Sequence, residues 1–281
     1  ICGDQSYLYK DSLVPLLRFE TSAEAEADDE TDDETDDASG QKKRRRRQIS
    51  LDEYVARMPE GQEEIYYLVA PGGRKQAESS PYLEAMRAKG YEVLFLYAHV
   101  DEFVMQHVRR HAGKDLVSAE AAELEATEPV EADDAVGPAL GESEMEKLCD
   151  WFASEALPGR VTGVKTSTRL TGSPALLTGH EPEAMRRYRA MLTMMSDDAT
   201  AAKLDALQNA AALELNPRHP IVRGIEAARG SDDEATRRVA KLAAEQLFDN
   251  ARVAAGALDD PREMVARIHD ILEVALATEK K

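Results

Sequence analysis

"SPYLEAMRAKGYEVLFLY", residues 80–97, sets an amphipathic helix directly before an apolar strand. Ser80 can accept a bond from a free backbone N–H, and the fixed φ of Pro81 suits a first helical turn. Gly90 stops the helix. "YEVLFLY" (91–97) lacks polar alternation, the pattern of a strand buried on both faces of a parallel sheet. Upstream, Ser50 with Glu53 makes a capping box that opens "LDEYVARM", and "EIYYLVA" (64–70) is a second strand-forming run. Downstream, Asp101 is expected to cap the helix "EFVMQHVRRHA", Gly113 to end it, and "DLVS" (115–118) to form a third strand. Strands alternating with helices imply right-handed crossovers, hence a small α/β (αβα) layer domain over 49–118.

Charge divides the rest of the chain. The net charge is −19, yet residues 24–37 hold ten acids, residues 119–146 hold ten more, and "KKRRRR" (42–47) holds six bases. Outside these stretches 34 acids face 29 bases, so the foldable parts are only mildly acidic. Segments this polar cannot bury enough surface to offset chain entropy, so 23–48 reads as a disordered insert and 119–142 as an acidic linker. "KKRRRR" admits a nuclear-import or nucleic-acid reading. It carries no aromatic residue for stacking on bases, which favours a solvated insert. "DSLVPLLRFETS" (11–22) spaces Leu13, Leu16, Leu17 and Phe19 as the closing helix of a preceding domain, so 1–22 is assigned to that domain.

At 281 residues and 43% hydrophobic, the chain can bury one or two cores. It opens on Ile1, shows no signal peptide and has no apolar run near the roughly 18 residues of a membrane span. The expectation is a soluble piece of a longer protein without membrane contact. Cys2 and Cys149 form neither a disulfide framework nor a zinc pattern, which suits a reducing compartment.

Residues 143–281 read as a second domain. Ser143 starts a helix carrying Trp151, and "RVTGVKTSTRL" and "SPALLTGH" read as an antiparallel strand pair. In "LELNPRHPIV" (213–222), Asn216 and Pro217 read as the cap and first residue of a helix, with His219 an ordinary first-turn residue. From Glu181 onward the pattern is mostly helical. In the penultimate helix Val239, Leu242, Ala243, Leu247, Ala251, Ala254 and Leu258 recur every three or four residues. In the last, Val265, Ile268, Leu272 and Leu276 do so, with Met264 and Ile271 widening the stripe. Such a face suits either a two-fold four-helix bundle or packing onto residues 143–230; the pattern does not choose. The fold class is α+β.

Catalytic constellations are scarce. His107 and His111 are four apart, as paired metal ligands on a helix would be, but Val108, Arg109 and Arg110 lie between them and a third ligand is missing. "APGGRK" (70–75) lacks the phosphate-loop lysine spacing, and its following helix is expected too late to face a phosphate. One segment points to binding. "EAMRRYRAMLTMM" (183–195) carries Met185, Tyr188, Leu192 and Met195 on one stripe, with Met191 and Met194 beside it and Arg186, Arg187 and Arg189 opposite. Methionine adapts to many partner shapes. A core stripe is the competing reading, and composition favours it.

Six segments together resemble the ninety-kilodalton heat-shock chaperone family: "LVPLLRFETS", "SLDEYVARMPEGQEEIYYL", "SPYLEAMRAKGYEVLFLYAHVDEFV", "RVTGVKTSTRLTGSPALL", "LELNPRHPIV" and "LFDNARVAAGALDDPREMVARI". They run colinearly through residues 10–277. "IYYLVAP", "SPYLEAM" and "NPRHP" resemble its mitochondrial branch and the bacterial relatives; the 24–47 insert departs from the family pattern. The resemblance implies the end of a middle domain and a C-terminal dimerization domain of an ATP-driven chaperone. ATP and magnesium would bind in an N-terminal domain absent from this chain, so no cofactor and no catalysis are expected in this fragment. It implies client contacts at Phe103, Met185 and Leu192, and the methionine-rich face of 183–195 extends the expected client set to Tyr188, Met191 and Met195. It implies a homodimer seam through Leu247, Ala251, Ala254, Leu258, Val265, Ile268, Ile271 and Leu272. Partners would be unfolded clients and a second copy, not nucleic acid; the compartment would be the mitochondrial matrix, with the cytoplasm as alternative.

Overall fold

The apolar runs at 64–70 and 91–97 become neighbouring strands of one sheet. The computed structural model describes residues 10–23, 35–36, 42–43, 47–124, 138–195, 211–258 and 260–278. The chain is mixed α and β and divides into two compact units, 1–122 and 123–281.

In the first unit the sheet has five strands: β1 (Glu20–Thr21), β2 (Glu64–Val69), β3 (Val93–Leu96), β4 (Arg110–His111) and β5 (Lys114–Ser118). The spatial order is β1-β3-β2-β5-β4. The β3, β2 and β5 strands are parallel, and the short edge strands run antiparallel to their neighbours. Side chains alternate across the sheet. Ile65, Tyr67, Leu94 and Leu96 join a buried cluster with Leu51 and Tyr54 of α1 (Leu51–Arg57) and Met105 and Val108 of α4 (His99–Val108). On the other face, Arg74 of α2 (Arg74–Glu78) stacks over Phe95 at 5.4 Å. Tyr91, just beyond α3 (Glu84–Ala88), stacks on Tyr66.

The capping box forms as expected: Glu53 N–H donates to Ser50 Oγ (3.2 Å) and Ser50 N–H to Glu53 Oε2 (2.7 Å). That bond and the nearby Arg47 hold the Glu53 carboxyl below its ordinary range. Other expectations shift. The α4 helix begins at His99, and Asp101 accepts from Ala98 N–H from the third position instead of capping. It ends at Val108, because Arg109 turns left-handed and Ala112-Gly113, both at positive φ, close a tight hairpin between β4 and β5. Likewise 11–22 does not hold one helix. The chain turns through Lys10–Leu16, around Pro15, and then extends, burying Val14 and Phe19 while Leu13 and Leu16 stay exposed. A short helix does follow "APGG" at Arg74, earlier than expected, since Gly73 takes the positive φ needed there.

Most of the 23–48 insert lies outside the described residues, apart from an antiparallel pairing of Thr35–Asp36 with Lys42–Lys43. Residues 125–137 of the acidic linker and Cys2 also lie outside them.

The second unit holds α5 (Glu142–Trp151), whose end widens so that Leu157 N–H reaches back to Phe152 C=O. Next come β6 (Gly163–Thr166), β7 (Ala175–Thr178), α6 (Glu183–Met195), β8 (Ala212–Leu215), α7 (Pro220–Arg229), α8 (Glu234–Ala254) and α9 (Val265–Thr278). Here the expected antiparallel pair is corrected: β6 and β7 do not pair with each other. The unanticipated β8 runs between them, parallel to β6 and antiparallel to β7. Its alternation explains the placement, because Leu213 and Leu215 are fully buried while Glu214 faces the other way. The Glu214 carboxylate, itself buried, is paired by Lys165 (3.1 Å) and Arg169 (3.3 Å) and accepts from Ser167 Oγ. The α7 helix starts at Pro220, not at Pro217. His219 is its cap, with Nδ1 accepting from Ile221 N–H, while Asn216 closes the strand end onto Arg218 N–H and Ser173 C=O.

Ser50→Ala removes one half of the reciprocal cap. It is expected to lower stability by about 1 kcal/mol, read from urea unfolding of the chain.

Candidate functional site

Helix α6 reverses the usual amphipathic arrangement. Two of its arginines point into the structure: Arg186 donates to the Gly256 carbonyl past the end of α8, and Arg189 pairs with Glu181 at 3.0 Å with its side chain largely buried. The sulfur-bearing face is the exposed one. Met194 is 88% and Met195 78% exposed, Tyr188 and Met191 are half exposed, and Met185 and Leu192 are partly buried. Anchoring through charge and exposing thioethers is the opposite of what burial of apolar area would select. The core-stripe reading therefore fails for the outer part of this helix. Met194 belongs to the surface as fully as the residues of the stripe.

The expected seam residues separate into two groups. Leu247 and Ala251 are buried within the unit, alongside Ala240, Ala244 and Phe248, so the inner face of α8 is turned further than its periodicity suggests. Ala254 is exposed, and Leu258 and Ile271 are partly buried. Val265, Ile268, Leu272 and Leu276 form an exposed stripe along α9, reaching 65% at Leu276. Val253 on α8, missed in the sequence, is half exposed as well.

One carboxylate orients α9. Asp249, buried on α8, accepts from Arg160 (2.7 Å) and Arg252 (3.3 Å), and from Arg267 of α9. Arg267 also reaches Glu245 at 3.4 Å, and Arg160 stacks over Phe248 at 4.7 Å. A buried acid is tolerated only when so paired.

In the first unit Phe103 is partly buried on α4, and Val100, one turn earlier, is 61% exposed. Spacing of three from Phe103 was the signal that could have found Val100. The histidine pair is not a site. His107 sits on α4 with Nδ1 against Phe103 C=O, whereas His111 is on β4 with Nε2 2.7 Å from Asp52. Among the described residues no group of three or more His, Cys, Asp or Glu side chains is placed to hold a metal. No described helix is long and apolar enough to cross a membrane. A cavity of about 890 Å³ lies in the second unit, lined by Trp151, Glu155, Arg229, Glu234, Arg238 and Lys241 among others. Of the basic run, residues 44–46 lie outside the described residues, and Arg47 pairs with Glu53 at 3.0 Å.

Comparison with known families decides what these surfaces belong to: the family model described as Hsp90 protein matches residues 1–281. The chain belongs to the Hsp90 family. It is 36% identical over 271 residues to the chaperone protein HtpG of Desulfitobacterium hafniense, covering 96% of this chain and 38% of that protein. It is 37% identical over 270 residues to the mitochondrial heat shock protein 75 kDa of Rattus norvegicus, covering 95% and 34%. To the mitochondrial TNF receptor-associated protein 1 homolog of Dictyostelium discoideum it is 33% identical over 270 residues, covering 96% and 34%. The chain thus spans little more than a third of the length of the curated Hsp90-family relatives it matches.

This Hsp90-family chain keeps its one described cysteine inert. Cys149 is buried on α5, and burial pushes its thiol up to about 11, against a smaller opposing effect of a bond with Thr166. About a thousandth is thiolate at pH 8. In a Cys2→Ser background the native chain is expected to resist a thiol-reactive disulfide dye at pH 8 and to react fully in urea.

Proposed function

We propose that residues 1–281 form the middle and C-terminal part of an ATP-dependent molecular chaperone, holding the homodimer together through α8 and α9 and gripping partly unfolded clients through α6 and Phe103. What supports the client role is the exposed methionine face of α6, because flexible, polarizable side chains held at the surface suit partners of many shapes. What supports the dimer role is the α9 stripe. Exposed apolar side chains at spacings of three and four mark a helix awaiting a partner, and a two-fold hairpin pair would cover them at about 25 cal/mol per Å². The name of the Desulfitobacterium hafniense relative, chaperone protein HtpG, supports the chaperone reading. Two copies of each client surface in one dimer would add avidity without new contacts.

The ATP and magnesium chemistry implied for the family is assigned to a nucleotide domain outside this stretch, and this stretch is assigned no catalysis. The rat and Dictyostelium relatives, mitochondrial by name, support the mitochondrial matrix as compartment; the HtpG relatives support the cytoplasmic alternative.

Ile268→Glu with Leu272→Glu places two charges in the seam. Sedimentation equilibrium should then show monomers that keep the parent's far-ultraviolet circular dichroism; an unchanged dimer would reject the bundle. Replacing Tyr188, Met191 and Met195 with serine should weaken suppression of client aggregation severalfold while the dimer persists. Undiminished suppression would place the client surface elsewhere.

A further inference from the structure

The exposure that makes α6 a binding face also leaves its sulfur atoms open to attack. Met194 and Met195 are 88% and 78% exposed and Met191 is 51% exposed, whereas Met86, Met105 and Met145 are each 2% exposed or less. Spacings of three and four place Met194 and Met195 beside Met191, one turn on along the same side of the helix. We propose that Met191, Met194 and Met195 form a reversible oxidation site through which hydroperoxides lower the grip of α6 on apolar segments. The effect on binding rests on the client role proposed above; the site of oxidation does not.

The reaction is a two-electron oxygen transfer. A thioether lone pair attacks one peroxide oxygen, the S–O bond forms as the O–O bond breaks, and the departing hydroxide takes up the proton of the transferred OH. One methionine and one hydrogen peroxide give one methionine sulfoxide and one water. Two thiols of a reductase reverse it, becoming a disulfide and releasing water. Each sulfoxide replaces a polarizable apolar tip with a strong, solvated dipole, so docking an apolar client now strips water from a polar group without offering it a partner. The arginine anchors are untouched by this chemistry, since Arg186 and Arg189 hold the helix through Gly256 and Glu181. The helix therefore stays in place while its face changes character.

The test uses the full 281-residue chain. Limited hydrogen peroxide, a quench and peptide mass mapping should show mass gains of about 16 Da first at Met191, Met194 and Met195, with Met86, Met105 and Met145 reacting only in urea. Affinity for fluorescently labelled, reduced and carboxymethylated lactalbumin should fall about tenfold on oxidation, and methionine sulfoxide reductases A and B should restore it. The variant Met191→Leu/Met194→Leu/Met195→Leu, whatever its starting affinity, should show no change in affinity on peroxide treatment; a fall as large as the parent's would overturn the switch. Even oxidation of all methionines in the native chain would overturn the site. If serine at these positions abolishes binding but oxidation leaves it unmoved, the switch falls and the client role stands. If neither change affects binding, the client role falls and the switch with it.

Discussion

A single buried carboxylate organises the second unit. Asp249 sits on the inner face of α8 and takes bonds from arginines on three separate stretches of chain. Leaving it unpaired in that apolar setting would cost several kcal/mol, so the three guanidinium groups must stay where they are. One of them, Arg267, belongs to α9, whose exposed stripe is thereby held at a set orientation against α8. The end of the same helix holds α6, because the Gly256 carbonyl accepts from Arg186. Both candidate surfaces of this unit thus hang on the C-terminal half of one helix.

The two surfaces are apolar for different physical ends. Val265, Ile268, Leu272 and Leu276 are mostly branched side chains with few rotamers, which lose little entropy on forming one defined interface. Tyr188, Met191, Met194 and Met195 combine one rigid amphipathic ring with long unbranched thioethers that repack against irregular shapes. A stripe of the first kind suits a partner that is always the same; one of the second suits partners that vary. The methionines' adaptability has a chemical consequence as well, since the atom that makes them polarizable is the one that oxidises.

The first unit was the more legible. Its strands and helices are set by local signals, such as the Ser50–Glu53 box and the unbroken apolar run of β3, and those signals act over a few residues. Errors there fell at ends. "HVRRHA" keeps helical composition past Val108, whereas the positive φ of Arg109 and Ala112 reflects a hairpin closed by pairing with β5. That composition alone makes His107 and His111 look like a pair. In the second unit the misreading was of a different kind. The four-residue β8 is too short to show a period of two against a helical background, and it joins strands from distant parts of the chain.

Periodicity and capping chemistry by themselves determined that the chain is α+β, that 64–70 and 91–97 are strands of a parallel core, and that the last two helices are amphipathic. They operate through neighbours along the chain, and neighbours along the chain are what a sequence displays. Tertiary structure alone decided which face of each helix is inside. It turned α8 inward on Ala240, Ala244 and Phe248, and it turned α6 so that arginines anchor and methionines face water. The partners that make these choices, the Gly256 carbonyl that accepts from Arg186 and the guanidinium donors Arg160 and Arg267 for Asp249, stand too far off in sequence to be paired before the chain is folded.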